Sequence, residues 1–375
     1  MFDLKRIIVI GAGILGAATA YHLTERGASV TLIDRKDTGQ ATAAAAGIIC
    51  PWLTNRRNTE WYKLVTEGAK YYPELMERLS EYGTMDPAYR QVGAINIFSK
   101  DKMLDKKYEL ALARQKDTPE MGKVTKLSES ETKALFPPLK DGYSAVHISG
   151  GGRVDGASLR DTLIHAATSR GMTYKVGSAS LIQEGNRITG VNDNQERMSA
   201  DEVVVTGGVW AKEILKPLGI DFLLTSQKAQ IVHLNIPDTD TSDWPVVMPP
   251  FGQYFLAFDG GKIVLGATAE NHAGEDARVT MGGVHEVIDK ALRVAPGFAT
   301  TTYVGTKVGF RPFTPESLPA IGRLPGLDGL FIANGLGSSG LTSGPYIGKE
   351  LAKLVMEEQA ELDVKEYPVS SAIRE

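Results

Sequence analysis

Glycines at 11, 13 and 16 and an aspartate at 34 are the first residues whose types and spacing could do chemistry. The glycines fall at G-x-G-x-x-G, directly after the β-branched run Ile7 to Ile10. In such a turn the first glycine lets the chain bend and the second lets a pyrophosphate approach the backbone. The third lets the next helix pack close to the strand. From Gly16 to Arg26 the sequence reads as that helix, with Gly27 as its stop. Ser29 to Ile33 reads as a second strand ending at Asp34. An acid at this distance can accept hydrogen bonds from a ribose. Strand, glycine turn, helix, strand and acid, in that order, make a dinucleotide-binding unit.

A second glycine-rich loop, Gly335 to Gly344, follows the apolar strand Leu330 to Asn334. Pro345 is expected to begin a helix running to about Gln359. N–H groups and the positive dipole end at such a helix start suit an anion. A nicotinamide domain needs one loop of this kind, and this chain has two. Asp34-Arg35 nonetheless leaves open a nicotinamide site in which Arg35 reads a 2′-phosphate. Between the loops, Gly309-Phe-Arg-Pro-Phe-Thr-Pro315 holds Arg311 between glycine and prolines. Its guanidinium could grip a carboxylate through two parallel hydrogen bonds, or could be a surface arginine in a proline turn. Tyr254 lies in an apolar strand, as a substrate ligand or a plain core tyrosine. Trp52 and Trp61 either shape a pocket or merely pack. The small-residue tract Thr38 to Gly47 is a tight helix contact, or a place where a flat or phosphate-bearing ligand meets backbone.

The chain that must position these residues has 375 of them, enough for two domains. Its net charge of −4 and lack of a basic cluster exclude nucleic acid as an expected partner. Cys50 is the single cysteine, so no intrachain disulfide, thiolate cage or metal centre is expected, and a reducing cytoplasm is the default. Cys50 itself reads as a small buried apolar residue. His22, His147, His165, His233, His272 and His285 have no motif context. Lys5-Arg6 before an apolar run imitates a signal peptide, but cleavage would destroy the nucleotide unit. The run is also too short to span a bilayer. Glu60 to Tyr82 and Lys100 to Glu131 read as helical. Val92 to Phe98 alternates like a strand, Leu181 to Val191 reads as a hairpin, and Phe222 to Thr306 is mainly β.

Five blocks together resemble the D-amino-acid oxidase family of FAD enzymes, which includes glycine oxidase and D-amino-acid dehydrogenase. They are Gly11 to Gly16 with Asp34, Thr42 to Gly47, Val203 to Trp210, Gly266-Ala-Thr268, and Gly309 to Pro319 with Gly335 to Gly344. The resemblance implies an α/β fold: a Rossmann-like FAD-binding domain of the glutathione-reductase type and a second α+β substrate domain around a mainly antiparallel sheet. The expected division is 1–85, 141–220 and 307–375 for FAD, with 86–140 and 221–306 for substrate.

It also implies that FAD meets Gly11, Gly13, Ile14, Leu15, Gly16, Asp34 and Arg35 at its nucleotide end, with Val176 at the adenine. Further contacts fall to Thr42, Ala43, Ala46, Gly47, Ile48, Ile49, Thr206, Gly207 and Trp210. The ring would reach the Ala46 to Ile49 backbone and the loop Gly337, Ser338, Ser339, Gly340 and Leu341, with Thr342 a further cofactor contact. Arg311 would clamp the substrate carboxylate, assisted by Tyr254. The implied reaction is hydride transfer from a D-amino acid or glycine to flavin N5, giving an imine that hydrolyses to a keto acid and ammonia. A secondary-amine acid such as sarcosine or a proline analogue is the alternative substrate, and a non-catalytic flavin sensor the alternative class. The acceptor would be O2 or another carrier, and a homo-oligomer is left open. Related sequences often carry His where this chain has Leu336. No cysteine occurs in the C-terminal segment, where one branch of the family attaches flavin, so the FAD should be non-covalent.

Overall fold

The computed structural model describes residues 4–83, 86, 89–193 and 196–374. Two large sheets organise them. The first has six strands in the order Ala320–Arg323, Leu330–Asn334, Glu202–Val205, Arg6–Ile10, Ser29–Asp34, Thr173–Val176. All pairs are parallel except Ala320–Arg323 with Leu330–Asn334. Arg6–Ile10 is central, and Ile7 to Ile10 are buried, which is why this strand is a continuous apolar run rather than an alternating one.

The helix Ile14–Glu25 is buried along almost its whole length, against helices Gly340–Val355 and Gly156–Ser169. Its alanines permit that approach: a Cβ on Gly348 would meet the Ala18 Cβ at 2.7 Å. The helix ends at Arg26, with Gly27 at φ 79°.

The second sheet has eight strands, in the order Thr302–Phe313, Thr225–Asn235, Lys262–Gly266, Tyr254–Phe258, Val246–Met248, Ala94–Phe98, Ser144–Ile148, Val124–Leu127. Only Val246–Met248 with Ala94–Phe98 is parallel, so the sheet is mainly antiparallel, as expected. Its core gathers Phe136, Phe255 and Phe298 beneath helix Met281–Val294. The expected hairpin is Ala179–Glu184 with Arg187–Asp193, extended by Glu196–Ser199 into a small third sheet.

Three expectations change. Lys100 to Glu131 is not one helix. It is helix Asp101–Gln115, strand Val124–Leu127 and a helix Glu129–Leu135 opened by a Ser128–Glu131 capping box. Pro119 and Gly122, the latter at φ 63°, end the first part. The C-terminal helix begins at Gly340, not at Pro345, and ends at Val355. Pro345 has no N–H for the Leu341 carbonyl four residues back. The Tyr72 hydroxyl takes that place, donating to Leu341 O at 2.6 Å, so the helix runs through the proline. Sheet membership also runs across residues 141 and 307: Ser144–Ile148 and the whole of Thr302–Phe313 belong to the eight-stranded sheet.

Candidate active site

A cavity of about 730 Å³ opens where the carboxyl ends of the parallel strands face the eight-stranded sheet. Ile10, Asp34, Thr206 and Asn334 reach it from the ends of four neighbouring strands, the place where open α/β sheets hold ligands.

At its floor is the first glycine turn. Gly11 sits at φ 102°, and its N–H donates to Ile33 O at 2.8 Å. A Cβ on Gly16 would collide with the Gly11 carbonyl, so the helix can start this close only on glycine. Thr206 Oγ1 donates to Gly11 O at 2.9 Å and braces the turn from below. A Cβ on Gly13 would meet only Thr42 Oγ1, at 3.5 Å, and would otherwise fill open space above the turn. The N–H of Ile14 donates to that hydroxyl at 2.9 Å. The cradle fits a pyrophosphate: bare backbone at Gly13, the first-turn N–H groups that follow Ile14, and the positive end of a helix dipole.

Asp34 is 7% exposed. Its carboxylate accepts from Ala12 N at 2.6 Å, Lys36 N at 2.7 Å and Gln40 Nε2 at 2.8 Å. With about four lone-pair positions on a carboxylate, roughly one remains for a ribose hydroxyl. Arg35 pairs with Asp37 at 2.8 Å and Glu213 at 2.9 Å, so two carboxylates already hold the guanidinium that a 2′-phosphate would need. Val176 lies opposite Asp34 in register, but its side chain is exposed and the lining passes instead to Gly177, Ser178, Ala179 and Ser180.

The other expected cofactor residues divide in the same way. Gly11, Gly13, Ile14, Leu15, Arg35, Thr42, Ala46, Gly47 and Ile48 line the cavity, as do Thr206, Gly207 and Trp210. Gly16, Ala43 and Ile49 do not line it.

Gly337, Ser338, Ser339, Gly340, Leu341 and Thr342 close the far end. They are held in place by Trp61 Nε1 donating to Ser339 Oγ at 3.0 Å, by Tyr72 on Leu341, and by Thr342 Oγ1 donating to Ile48 O at 3.0 Å. Helix Gly340–Val355 starts here, so both helix N-termini meet this one cavity. Leu336 lines it too, an apolar group where a histidine would have been polar. Trp61 lines the cavity, whereas Trp52, 2% exposed, packs away from it. Cys50 is buried and its thiol is pushed up to about 12, so it holds its proton and is no nucleophile.

Arg311 is on a strand, not in a proline turn. Thr302–Phe313 is the edge of its sheet, where a missing proline N–H costs no ladder bond, so Pro312 is tolerated. Register puts Gln227 directly across from Arg311, and Arg311 Nη1 donates to Gln227 Oε1 at 2.9 Å. Tyr254, from the same sheet, lies close enough to the guanidinium for its charge to act on the phenol. Burial pushes the Tyr254 phenol up while the Arg311 charge opposes it; the hydroxyl keeps its proton at neutral pH. Arg311 and Tyr254 both line the cavity. Among the described residues no carboxylate lies within 4.0 Å of Arg311, so this half-buried cation faces the cavity without an anion. Gln227 was invisible to motif reading, because only a register spanning 84 residues makes it the arginine's neighbour.

A family model described as DAO, FAD dependent oxidoreductase, matches residues 6–354. The chain is 56% identical over 371 residues to an uncharacterised oxidoreductase, YurR, of Bacillus subtilis strain 168, covering 99% of this chain and 100% of that one. It is 29% identical to a glycine oxidase of Pseudomonas aeruginosa, covering 97% and 98%. Among solved structures it superposes on iminodiacetate oxidase of Chelativorans sp. BNC1 with a TM-score of 0.94 and 44% identity, over 97% of this chain and 98% of that one.

Proposed function

Because this chain belongs to the DAO family of FAD-dependent oxidoreductases, we propose that it oxidises a small amino acid at the carbon bearing the amine. The observation that carries the reading is Arg311: a half-buried guanidinium in the cavity, steadied by Gln227, with no acidic partner within 4.0 Å among the described residues. A substrate carboxylate supplies the missing anion, and two parallel N–H···O bonds fix its orientation as well as its charge. Tyr254 donates its hydroxyl to the same carboxylate, holding it between the two side chains.

The lining suits FAD: Gly11 and Gly13 would cradle its pyrophosphate, Asp34 would accept from a ribose hydroxyl, and the Ala46–Ile48 backbone and the 337–342 loop would hold its ring. When bound, it accepts the two electrons released from the substrate. The first-turn N–H groups of Gly340 and Leu341 present positive charge to whatever anion forms near them. Loss of the Cα hydrogen and two electrons leaves an imine, which water hydrolyses to a keto acid and ammonia. No side chain is required as a base, since a deprotonated amine supplies its own electron pair. The FAD is held without a covalent bond. The cofactor domain comprises 1–85, 141–220 and 307–375, apart from the strands those ranges give to the eight-stranded sheet.

A second reading, oxidation of a secondary-amine acid, is favoured by the 44% identity to iminodiacetate oxidase. The test is anaerobic. Glycine, D-alanine, sarcosine, proline and iminodiacetate are added singly to the holoenzyme, and bleaching of the flavin absorbance is followed. Bleaching by glycine or D-alanine supports the first reading, and bleaching by sarcosine, proline or iminodiacetate alone supports the second. Bleaching by none would leave a flavin-binding protein without this activity.

A further inference from the structure

Arg311 is not the only cation near the cavity without an acid. Arg56 is half-buried, and its guanidinium stacks on the Trp61 ring at 4.3 Å from the centroid. One N–H donates to Ser317 O at 2.7 Å. Its other side-chain donors have no protein acceptor among the described residues, and no described carboxylate comes within 4.0 Å, the nearby Glu60 and Glu316 included. Burial pulls its pKa down, as expected where nothing negative repays the lost water. Arg56 is not itself part of the cavity wall, but its neighbours are. Thr54 and Trp61 both line the cavity, and Trp61 bonds Ser339 of the glycine loop. Ser317, which anchors Arg56, is six residues beyond Arg311, in the turn Pro315–Ser317 that follows the Arg311 strand.

The loop beneath Arg56 is also positive. Lys107 Nζ donates to Leu53 O at 2.9 Å and Asn55 Oδ1 at 2.6 Å, and Arg114 Nη1 donates to Trp52 O at 2.6 Å and Thr54 O at 2.8 Å. Neither has a carboxylate partner among the described residues. Two cations thus converge on residues 52–55, held by carbonyl and amide oxygens alone, and Arg56 is a third at the end of the same loop. That arrangement raises the positive potential at one side of the cavity and draws anions to it.

We infer that Arg56 is a second carboxylate site, and that the preferred substrate carries two carboxylates, one on each side of the amine. This rests on the reading of Arg311 as the first clamp. A guanidinium held over an indole and tethered by one N–H keeps donors in a fixed fork, the geometry that matches a carboxylate. A substrate with a single carboxylate uses Arg311 and leaves Arg56 to water.

The experiment separates binding from turnover. Oxydiacetate has two carboxylates on an ether and cannot be oxidised as an amine; methoxyacetate is its analogue with one. Both are titrated into the holoenzyme by calorimetry, for the wild type, Arg56→Met, Arg56→Gln and Arg56→Lys. The wild type should bind oxydiacetate about 10- to 100-fold more tightly than methoxyacetate, the span expected for hydrogen bonds to a charged group. Arg56→Met and Arg56→Gln should remove the preference while methoxyacetate affinity stays within about threefold, and Arg56→Lys should restore part of it. A wild type with no preference, or no oxydiacetate binding, overturns the inference. So does a loss shared equally by both ligands, which marks Arg56 as a strut between the loop and Ser317. If Arg56→Met loses its FAD, the Gln and Lys variants decide. A preference that disappears with Arg56 in a protein whose flavin no amine bleaches would keep this site and defeat the oxidation reading alone.

Discussion

At the scale of the residue, the function hangs on Arg311 and Asp34, and each makes a separable prediction. Arg311→Met would leave a bound carboxylate in a closed pocket with Tyr254 as its remaining partner. Breaking one side of a buried charged pair costs about 3–5 kcal/mol, so kcat/KM should fall by roughly two to four orders of magnitude. Arg311→Lys should recover only part, and FAD content should stay near normal in both; steady-state kinetics and the visible spectrum check this. Full activity on every amino acid that bleaches the wild type would place the carboxylate elsewhere.

Asp34→Ala behaves differently, because that carboxylate holds the protein as well as a ribose. It accepts from Ala12 N, Lys36 N and Gln40, so the substitution should weaken FAD binding and also lower the melting temperature of the apoprotein. Bonds of this kind contribute about 1.5–3 kcal/mol each. An apoprotein as stable as the wild type would show that the three internal bonds carry no weight. Both residues were legible in the sequence because each sits in a short local motif. Gln227 and Arg56 were not, since what makes them matter is a neighbour 84 and 261 positions away.

At the scale of the element, local rules read most of the chain and failed where tertiary structure repaired a local defect. The buried strand Arg6–Ile10, the glycine stop of helix Ile14–Glu25 and the hairpin around Gly185 follow from period and turn chemistry. Pro345 reads as a helix start because a proline inside a helix strands the carbonyl four residues back. Here Tyr72, from a helix some 270 positions earlier in the chain, satisfies Leu341 O, and no local rule can see it. Tyr72→Phe should therefore destabilise the protein by about 1–3 kcal/mol, the cost of an unpaired buried carbonyl. In a Pro345→Ala background the new N–H can bond Leu341 O itself, so the same substitution should cost less. A double-mutant cycle by chemical denaturation measures the difference. Equal costs in both backgrounds would mean that the tyrosine acts only by packing.

At the scale of the whole molecule, the two sheets meet at one cavity, and the groups packed around that assembly set its response to acid. His233 lies in the long strand that pairs with the Arg311 strand. Its Nε2 is buried with no hydrogen-bond partner among the described residues, and burial together with the Lys307 charge pushes its pKa down from 6.5 to about 4. His147, in the same sheet, is lowered by burial and Lys123, and His22, fully buried between helices, is lowered chiefly by burial. In each case the unfolded chain takes up a proton that the folded protein refuses. The unfolded state therefore binds more protons below about pH 6.5, and stability must rise with pH across that window. The stabilisation is fully present above the unfolded value of about 6.5. For His233 it drains away as pH falls toward about 4. One histidine contributes at most about 1.4 kcal/mol per pH unit. His233 suits the test because its buried Nε2 has no hydrogen-bond partner among the described residues to lose. Urea denaturation at pH 7, 6 and 5 should show the wild type weakening with each step, and His233→Gln weakening less steeply by about one histidine's share. Parallel slopes would show that His233 titrates normally in the folded protein, and the acid sensitivity would then belong to His22 and His147.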